Sequence, residues 1–218
     1  MFEAVKYNIR NNTFILFSTR CIFWEDANAL ILSDLHLGKS GHFRKHGIAV
    51  PPKVFKSDMH KLISQIQFVK PSKIIIVGDL FHSHENKEHE LFYKWRNDFP
   101  LIDFHLVKGN HDILKNKTYM NASIIVHEHS YSFNGFTFTH DIENCNKTHD
   151  YCFSGHIHPG ITISGIAKQS IKLPCFYFSE NYAVLPAFGN FTGTYSVKPA
   201  KGDTIFAIAD NKIIKVYG

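Results

Sequence analysis

The sequence has no long hydrophobic run. No stretch approaches the ~20 consecutive apolar residues that a membrane-spanning helix needs. The amino terminus also lacks a basic segment followed by an apolar core, the pattern typical of a secretion signal. We find no linker, repeat or low-complexity segment, and 218 residues are enough to bury a substantial core. We therefore expect a single domain over residues 1–218, cytoplasmic and not anchored in a membrane.

Cysteine is scarce, and no Cys-x-x-Cys pair occurs among the four, which are Cys21, Cys145, Cys152 and Cys175. This argues against a structural zinc site of the thiolate type. Most of the four lie in apolar runs, so we expect buried free thiols rather than disulfides. The formal net charge of +5 permits an anionic substrate or a nucleic acid but requires neither.

What the sequence does contain is five short apolar runs, each followed by side chains of the kind that bind metals. The candidate ligands are Asp34, His36, Asp79, Asn110, His140, His156 and His158. Short β-branched runs are typical of buried parallel strands, and ligands of open α/β sheets bind at the carboxyl ends of strands. We therefore expect these side chains to lie together in one site.

The spacing of the candidate ligands indicates how they bind. Residues two apart in an extended segment project to the same side, so Asp34-x-His36 and His156-x-His158 can each grip a cation. Asp79 follows a glycine, which leaves its carboxylate free to bridge two cations. Oxygen and nitrogen ligands without thiolate favour Mn²⁺, Fe or Zn²⁺ over calcium. Two such ions ~3.5–4 Å apart, bridged by a carboxylate and a hydroxide, are suited to displacement at phosphorus.

The apolar pattern predicts short strands first, then alternating strands and helices, then short strands again. Pro51-Pro52 opens the first helix and Pro71 follows its end. A second helix is predicted over residues 85–98, and a final hairpin over residues 204–217. Strand–helix–strand crossovers place parallel strands side by side with the helices outside. The pattern therefore predicts two packed sheets with helices on the outside.

The ordered motifs Asp-x-His, Gly-Asp, Gly-Asn-His-Asp, His and Gly-His-x-His span Asp34 to His158 and resemble those of the calcineurin-like metallophosphoesterase superfamily. Further segments, over residues 33–51, 78–83 and 186–193, resemble its PdeM-like branch of DNA ligase-associated phosphoesterases. The resemblance implies an α/β fold, the four-layer α-β-β-α sandwich with two packed mixed β-sheets of the metallo-dependent phosphatases. It also implies a Mn²⁺-dependent phosphodiesterase or nuclease with DNA ligase and helicase repair partners.

The resemblance also implies a role for each residue of the site. The first metal would be held by Asp34, His36 and His158, and the second by Asn110, His140 and His156, with Asp79 bridging the two. His111 would be the catalytic general acid that protonates the leaving oxygen. Arg44, in a basic loop, would contact the substrate phosphate. His82 is expected to line the cleft for a different reason, because it closely follows the bridging Asp79. His82 stands where the wider superfamily has an acid, so substrate contact and support of the site both remain open for it.

Three functions are compatible with these residues. The first is a phosphodiesterase or nuclease that acts on nucleic acid or a nucleotide-like diester in DNA repair. The second is a pyrophosphatase similar to UDP-diacylglucosamine hydrolases, but those enzymes carry a lipid-binding insertion, and only about thirty residues separate Asn110 from His140 here. The third is a non-catalytic scaffold on the same fold. A scaffold usually loses metal ligands, and all seven are present.

Overall fold

The computed structural model describes residues 3–39, 53–82, 84, 86–145, 150–165, 169–190 and 192–218, which form two β-sheets packed face to face. The first sheet follows chain order, with antiparallel pairing up to its fourth strand and parallel pairing from there on. Its strands are β1 (Ala4–Ile9), β2 (Asn12–Phe17), β3 (Cys21–Trp24), β4 (Ala29–Leu32), β5 (Lys73–Val77), β6 (Asp103–Val107) and β7 (Ile124–His127).

The helices of the described residues are α1 (Lys53–Val69), α2 (Lys87–Arg96) and α3 (Asn116–Asn121). The apolar stripe of α1, which includes Met59 and Leu62, packs in one cluster with the face of the first sheet that points away from the second sheet. Helix α2 begins with a capping box, in which Asn86 accepts a hydrogen bond from the backbone of Glu88 and donates its own backbone N–H to His89. The predicted opening of α1 at Pro51-Pro52 lies outside the described residues.

The second sheet has nine strands and is mixed. The parallel pairs are β9 with β10, β10 with β13, and β11 with β14, and the other pairs are antiparallel. Its strands are β8 (Ser130–Phe133), β9 (Phe136–Thr139), β10 (Tyr151–Ser154), β11 (Pro159–Ser164), β12 (Ser170–Phe178), β13 (Tyr182–Val184), β14 (Tyr195–Ser196), β15 (Thr204–Ala209) and β16 (Lys212–Tyr217).

Aromatic rings fill the space between the two sheets. Trp24 and Phe14 of the first sheet contact Phe136 of the second, with ring centroids 4.8 and 5.3 Å from that of Phe136. The predicted fold class of two packed mixed sheets is therefore confirmed, with helices covering the outer face of the first. On the outer face of the second sheet, the described residues include a single short 3₁₀ helix, Ile142–Asn144.

The expectation of four free thiols is wrong for one pair. Cys145 and Cys152 form a disulfide, with Cα atoms 6.0 Å apart. The chain after the 3₁₀ helix turns back, with the backbone N–H of Cys145 bonded to the carbonyl of Ile142, and this brings Cys145 beside β10. Cys21 and Cys175 are buried and free as expected, and burial raises the pKa of each thiol to about 12.

Among the helices that the structure describes, none is at once long and apolar enough to cross a membrane.

Candidate metal centre

The seven predicted ligands lie where strands of both sheets end. Asp34, Asp79 and Asn110 follow β4, β5 and β6, which are adjacent parallel strands of the first sheet. His140 and His156 follow β9 and β10, which are adjacent parallel strands of the second. The carboxyl ends of parallel strands meet at one edge of a sheet, and here the two edges face each other. The last ligand, His158, immediately precedes β11.

One group of ligands forms around Asp34. Nε2 of His158 lies 3.3 Å from Oδ1 of Asp34 and 3.3 Å from Nε2 of His36. Nε2 of His36 lies 3.7 Å from Oδ2 of Asp79. Asp34, His36 and His158 thus have ligand atoms close enough to share one cation. These are the residues predicted from the sequence to hold the first metal.

A second group forms around His140. Its Nε2 lies 3.1 Å from Oδ1 of Asn110, 3.1 Å from Nδ1 of His156 and 3.5 Å from Oδ2 of Asp79. Oδ2 of Asp79 therefore faces both His36 and His140. A single carboxylate oxygen stands between the two groups, in the place that a bridging ligand would occupy.

The backbone at this edge is unusual. Five of the seven candidate ligands have positive φ, at 53° for Asp34, 49° for His36, 52° for Asp79, 69° for His156 and 51° for His158. Residues with a Cβ rarely adopt this region, and such conformations concentrate at functional sites that the surrounding structure stabilises. Here backbone hydrogen bonds hold the turns, from Asp34 to the carbonyl of Gly78 and from His36 to that of Asp79.

Two glycines allow the ligand loops to approach one another. A Cβ at Gly109 would overlap Oδ1 of Asp79, and a Cβ at Gly155 would overlap Oγ of Ser33 and lie 2.6 Å from Oδ2 of Asp34. Ser33 in turn donates a hydrogen bond to Asp34. The carboxylates are therefore packed on sides where only a hydrogen atom fits.

Hydrogen bonds to the backbone fix which ring nitrogen faces the centre. Nδ1 of His140 lies 3.3 Å from the carbonyl of Val77, and Nδ1 of His158 lies 3.2 Å from that of Gly193. A carbonyl can only accept, so each Nδ1 carries a proton, and in the neutral imidazole that a metal ion binds, each Nε2 presents its lone pair to the centre. This is the usual support of a metal-bound histidine. The donor set therefore fits a metal ion, and we identify the buried His and Asp groups as a metal site.

The electrostatics of the side chains also suit a cation. Burial alone would raise the pKa of Asp79, but the hydrogen bond and charge of His140 outweigh it and lower that pKa to about 2. Burial likewise opposes the charge on His140, yet the two carboxylates of Asp79 and Asp34 raise its pKa to about 9. Burial lowers the pKa of His36 to about 3 despite the same carboxylates. The carboxylates thus stabilise positive charge at His140, whereas burial keeps His36 neutral.

Of the predicted catalytic and substrate-binding residues, the structure places His111 and His82 beside the ligands. The backbone N–H of His111 donates to Oδ1 of Asp79 at 2.9 Å, and its ring stacks on His82 with centroids 4.7 Å apart. Nδ1 of His82 also lies 3.4 Å from Nδ1 of His36. His82 and His111 therefore line the first group of ligands, where a substrate would bind. Arg44 lies outside the described residues.

The role of Asp112 was not predicted from the sequence. Its buried carboxylate accepts hydrogen bonds from the backbone N–H groups of Gly109 and Phe81, each at 3.0 Å. It therefore ties the loop that carries Asn110 to the loop that carries Asp79. Burial raises the pKa of Asp112 to about 6, although these two bonds oppose the rise. The available signal was the acid that directly follows His111 in the motif.

This fold of two packed mixed sheets is shared with a solved nuclease. The structure is similar to that of the Pseudomonas putida nuclease MPE, with a TM-score of 0.83 and 22% sequence identity over 98% of this chain and 100% of that chain. It also matches Yfce, a phosphoesterase from E. coli, with a TM-score of 0.45 and 13% identity over 86% of this chain and 97% of that one. No family model and no curated protein matches the sequence.

Proposed function

We propose that this protein is a phosphodiesterase that depends on two divalent metal ions and cleaves nucleic acid. The observation that carries the proposal is the position of Asp79, whose Oδ2 lies 3.7 Å from Nε2 of His36 and 3.5 Å from Nε2 of His140. Two groups of ligands that share one carboxylate suit a pair of adjacent cations. The similarity in fold to a protein named a nuclease supports the choice of nucleic acid as the substrate.

In this proposal the metal ligands and His111 have separate roles. Asp34, His36 and His158 would hold one ion, Asn110, His140 and His156 the other, and Asp79 both. When bound, such a pair supplies an activated water and neutralises charge on the phosphoryl oxygens. His111 carries a proton at its ring and delivers it to the leaving oxygen. Its backbone bond to Asp79 and its stacking on His82 orient the ring for that step.

The remaining parts of the proposal rest on the chemistry of the donors and on the family resemblance. Carboxylate, amide and imidazole ligands without thiolate suit Mn²⁺, with Fe and Zn²⁺ as alternatives. The resemblance to DNA ligase-associated phosphoesterases supports a role in DNA repair beside a ligase or helicase, in the cytoplasm. Arg44 of the basic loop is proposed to contact the substrate phosphate.

The test combines metal analysis with hydrolysis assays. We expect the purified protein to bind two equivalents of Mn²⁺ and to hydrolyse both bis-p-nitrophenyl phosphate and single-stranded DNA. His111→Ala should keep its metal but turn over at least about a hundredfold more slowly, the lower end for general-acid catalysis. Asp79→Asn should lose both metal and activity.

The control is His60→Ala, which removes an exposed histidine of α1 and should behave as wild type. If the wild-type protein binds no transition metal, the scaffold alternative replaces the proposal. Equal loss of metal in His111→Ala and Asp79→Asn would contradict the roles assigned to these two residues.

A further inference from the structure

An aromatic groove of about 420 Å³ opens on the outer face of the second sheet. Its walls include three tyrosines, two isoleucines and a lysine, which are Tyr177, Tyr182, Tyr195, Ile142, Ile157 and Lys198. Ligand pockets have volumes of roughly 300–1,000 Å³ and combine apolar walls with a few polar groups. The groove has both properties, and the metal ligands take no part in its walls.

Some residues that line the groove are close in sequence to the candidate metal ligands. Ile157 stands between the two candidate ligands His156 and His158, and Ile142 follows His140 by two residues. The backbone N–H of Tyr195 donates to the carbonyl of His158 at 2.9 Å. The segments that line the groove are therefore continuous in the chain with those that carry His140, His156 and His158, and Tyr195 is hydrogen-bonded to one of them.

The tyrosines of the groove differ in their packing, since Tyr177 is held by a hydrogen bond and by a neighbouring ring whereas Tyr195 is exposed. The hydroxyl of Tyr177 donates to Asp203, and the ring of Tyr177 is stacked near that of Tyr182, with centroids 6.0 Å apart and an interplanar angle of 20°. Tyr195 is 66% exposed, far more than a packed aromatic residue. An ordered aromatic floor beside an exposed ring provides the surfaces on which a flat ligand stacks.

We propose that this groove binds the nucleobase next to the scissile phosphodiester, stacked on Tyr195. The proposal rests on the proposed function, because the metal centre would hold the phosphate to which that base is attached. Aromatic side chains bind bases of single strands through their faces, without a strong preference for sequence. Lys198 at the rim supplies positive charge for the next phosphate of the strand.

The chemistry of the groove favours a base over other occupants. Bases in a duplex are stacked on one another and unavailable, so the occupant is an unpaired base. The hydroxyls of the tyrosines and the charge of Lys198 would be poorly matched by a lipid chain, which offers no polar partner. An unpaired base can come from a nucleic-acid strand or from a free nucleotide diester, and the two sources share the chemistry that the groove recognises.

The test measures the part of binding that depends on bases. Calorimetric titrations of the full-length, metal-free protein compare a ten-thymidine strand with an abasic strand of equal length and charge. Wild type should bind the thymidine strand more tightly. Tyr195→Ala should weaken that binding about tenfold and leave binding of the abasic strand unchanged. Tyr195→Phe, which keeps the ring, should bind both strands as wild type does.

Two further variants keep the result interpretable. Tyr217→Ala removes an exposed tyrosine of β16 that is not part of the groove, and should change nothing. Tyr182→Ala tests a second wall and should also reduce binding of the thymidine strand alone. Binding of UDP without binding of the thymidine strand would support the groove as a base site and identify free nucleotides as its source. The proposal is overturned if Tyr195→Ala and Tyr182→Ala bind the thymidine strand as wild type does, or weaken both strands equally.

Failure of this proposal can be distinguished from failure of the proposed function. Methyl p-nitrophenyl phosphate has no base, so Tyr195→Ala should hydrolyse it with Mn²⁺ at the wild-type rate. Hydrolysis of this ester without any base-dependent binding would contradict the groove and leave the phosphodiesterase intact. Base-dependent binding with no hydrolysis of any diester would contradict the phosphodiesterase and retain the groove.

Discussion

The carboxylate of Asp58 on helix α1 accepts two hydrogen bonds from Asn190, one from the backbone N–H at 3.2 Å and one from the side-chain amide at 2.7 Å. Asn190 follows Gly189, which contacts the metal site, since the backbone N–H of Gly189 donates to the carbonyl of Asp34 at 3.1 Å. Lys61 donates to the carbonyl of Phe188 in the same segment. Helix α1 therefore holds the chain that supports the first predicted ligand.

Removal of Asp58 should destabilise the protein and loosen this support. In Asp58→Ala the ammonium of Lys61, 3.8 Å from the carboxylate in the native protein, would lose its ion-pair partner. Breaking a buried pair by removing one member costs about 3–5 kcal/mol, so we expect the free energy of unfolding to fall by about 3 kcal/mol. Urea titrations measure the change, and Glu90→Ala, at an exposed site of α2, serves as the control. A loss below 1 kcal/mol would show that the contact with Asn190 is dispensable.

Lys61 should make the stability of the protein depend on pH in the alkaline range. Burial lowers its pKa from 10.5 to about 8, although Asp58 opposes the shift. Between these two values the unfolded chain binds more protons at Lys61 than the folded protein does, so stability rises with pH. The unfolding free energy of wild type relative to Lys61→Met should therefore increase by about 2 kcal/mol from pH 7.5 to pH 10.

The comparison with Lys61→Met needs a control variant in which an exposed lysine is replaced. Lys56→Met removes an exposed lysine from the same helix, and its effect on the unfolding free energy should be the same at both pH values. A relative stability of wild type and Lys61→Met that stays constant, or falls, over this range would contradict a buried lysine with a lowered pKa.

The strands could be predicted from the sequence because their signal is local. Alternating and β-branched runs predicted short strands at the start of the chain, and β1, β2 and β3 form there. The hairpin predicted over residues 204–217 is also present, formed by β15 and β16. The polar residues that follow the strands were found for the same reason, since each cluster directly succeeds an apolar run.

The supports of the site could not be predicted because their partners are distant in the chain. Asp58 and Asn190 are 132 residues apart, and no local pattern connects them. The walls of the aromatic groove are also distant in the chain, since they come from β12 and from segments on both sides of it. The disulfide could not be predicted for a different reason, since only the turn after the 3₁₀ helix brings Cys145 to Cys152. Periodicity reveals which face of an element is buried, but not which distant element covers it.

The disulfide determines how many reactive thiols the chain should present before and after reduction. Under denaturing, non-reducing conditions the chain should present two reactive thiols, those of Cys21 and Cys175, and after reduction it should present four. Titration with a thiol reagent measures both numbers. A Cys145→Ser, Cys152→Ser double variant should show two thiols in either condition. Four thiols before reduction, in protein purified without reductant, would contradict the pairing and restore the expectation made from the sequence.

Gly155 tests whether the close packing of the loops is needed to place the ligands. A methyl group in Gly155→Ala would overlap Ser33 and come within 2.6 Å of Oδ2 of Asp34, so the carboxylate must move. Displacement of one ligand should weaken metal binding at least about tenfold, the lower end for loss of a residue that supports a ligand. Gly193→Ala is a matched control, because the added methyl would have no neighbour within 4 Å. Mass-spectrometric metal content after dialysis should fall in Gly155→Ala alone. Equal retention in both variants would mean that Asp34 can shift without losing the ion, and that the glycine serves the fold rather than the metal.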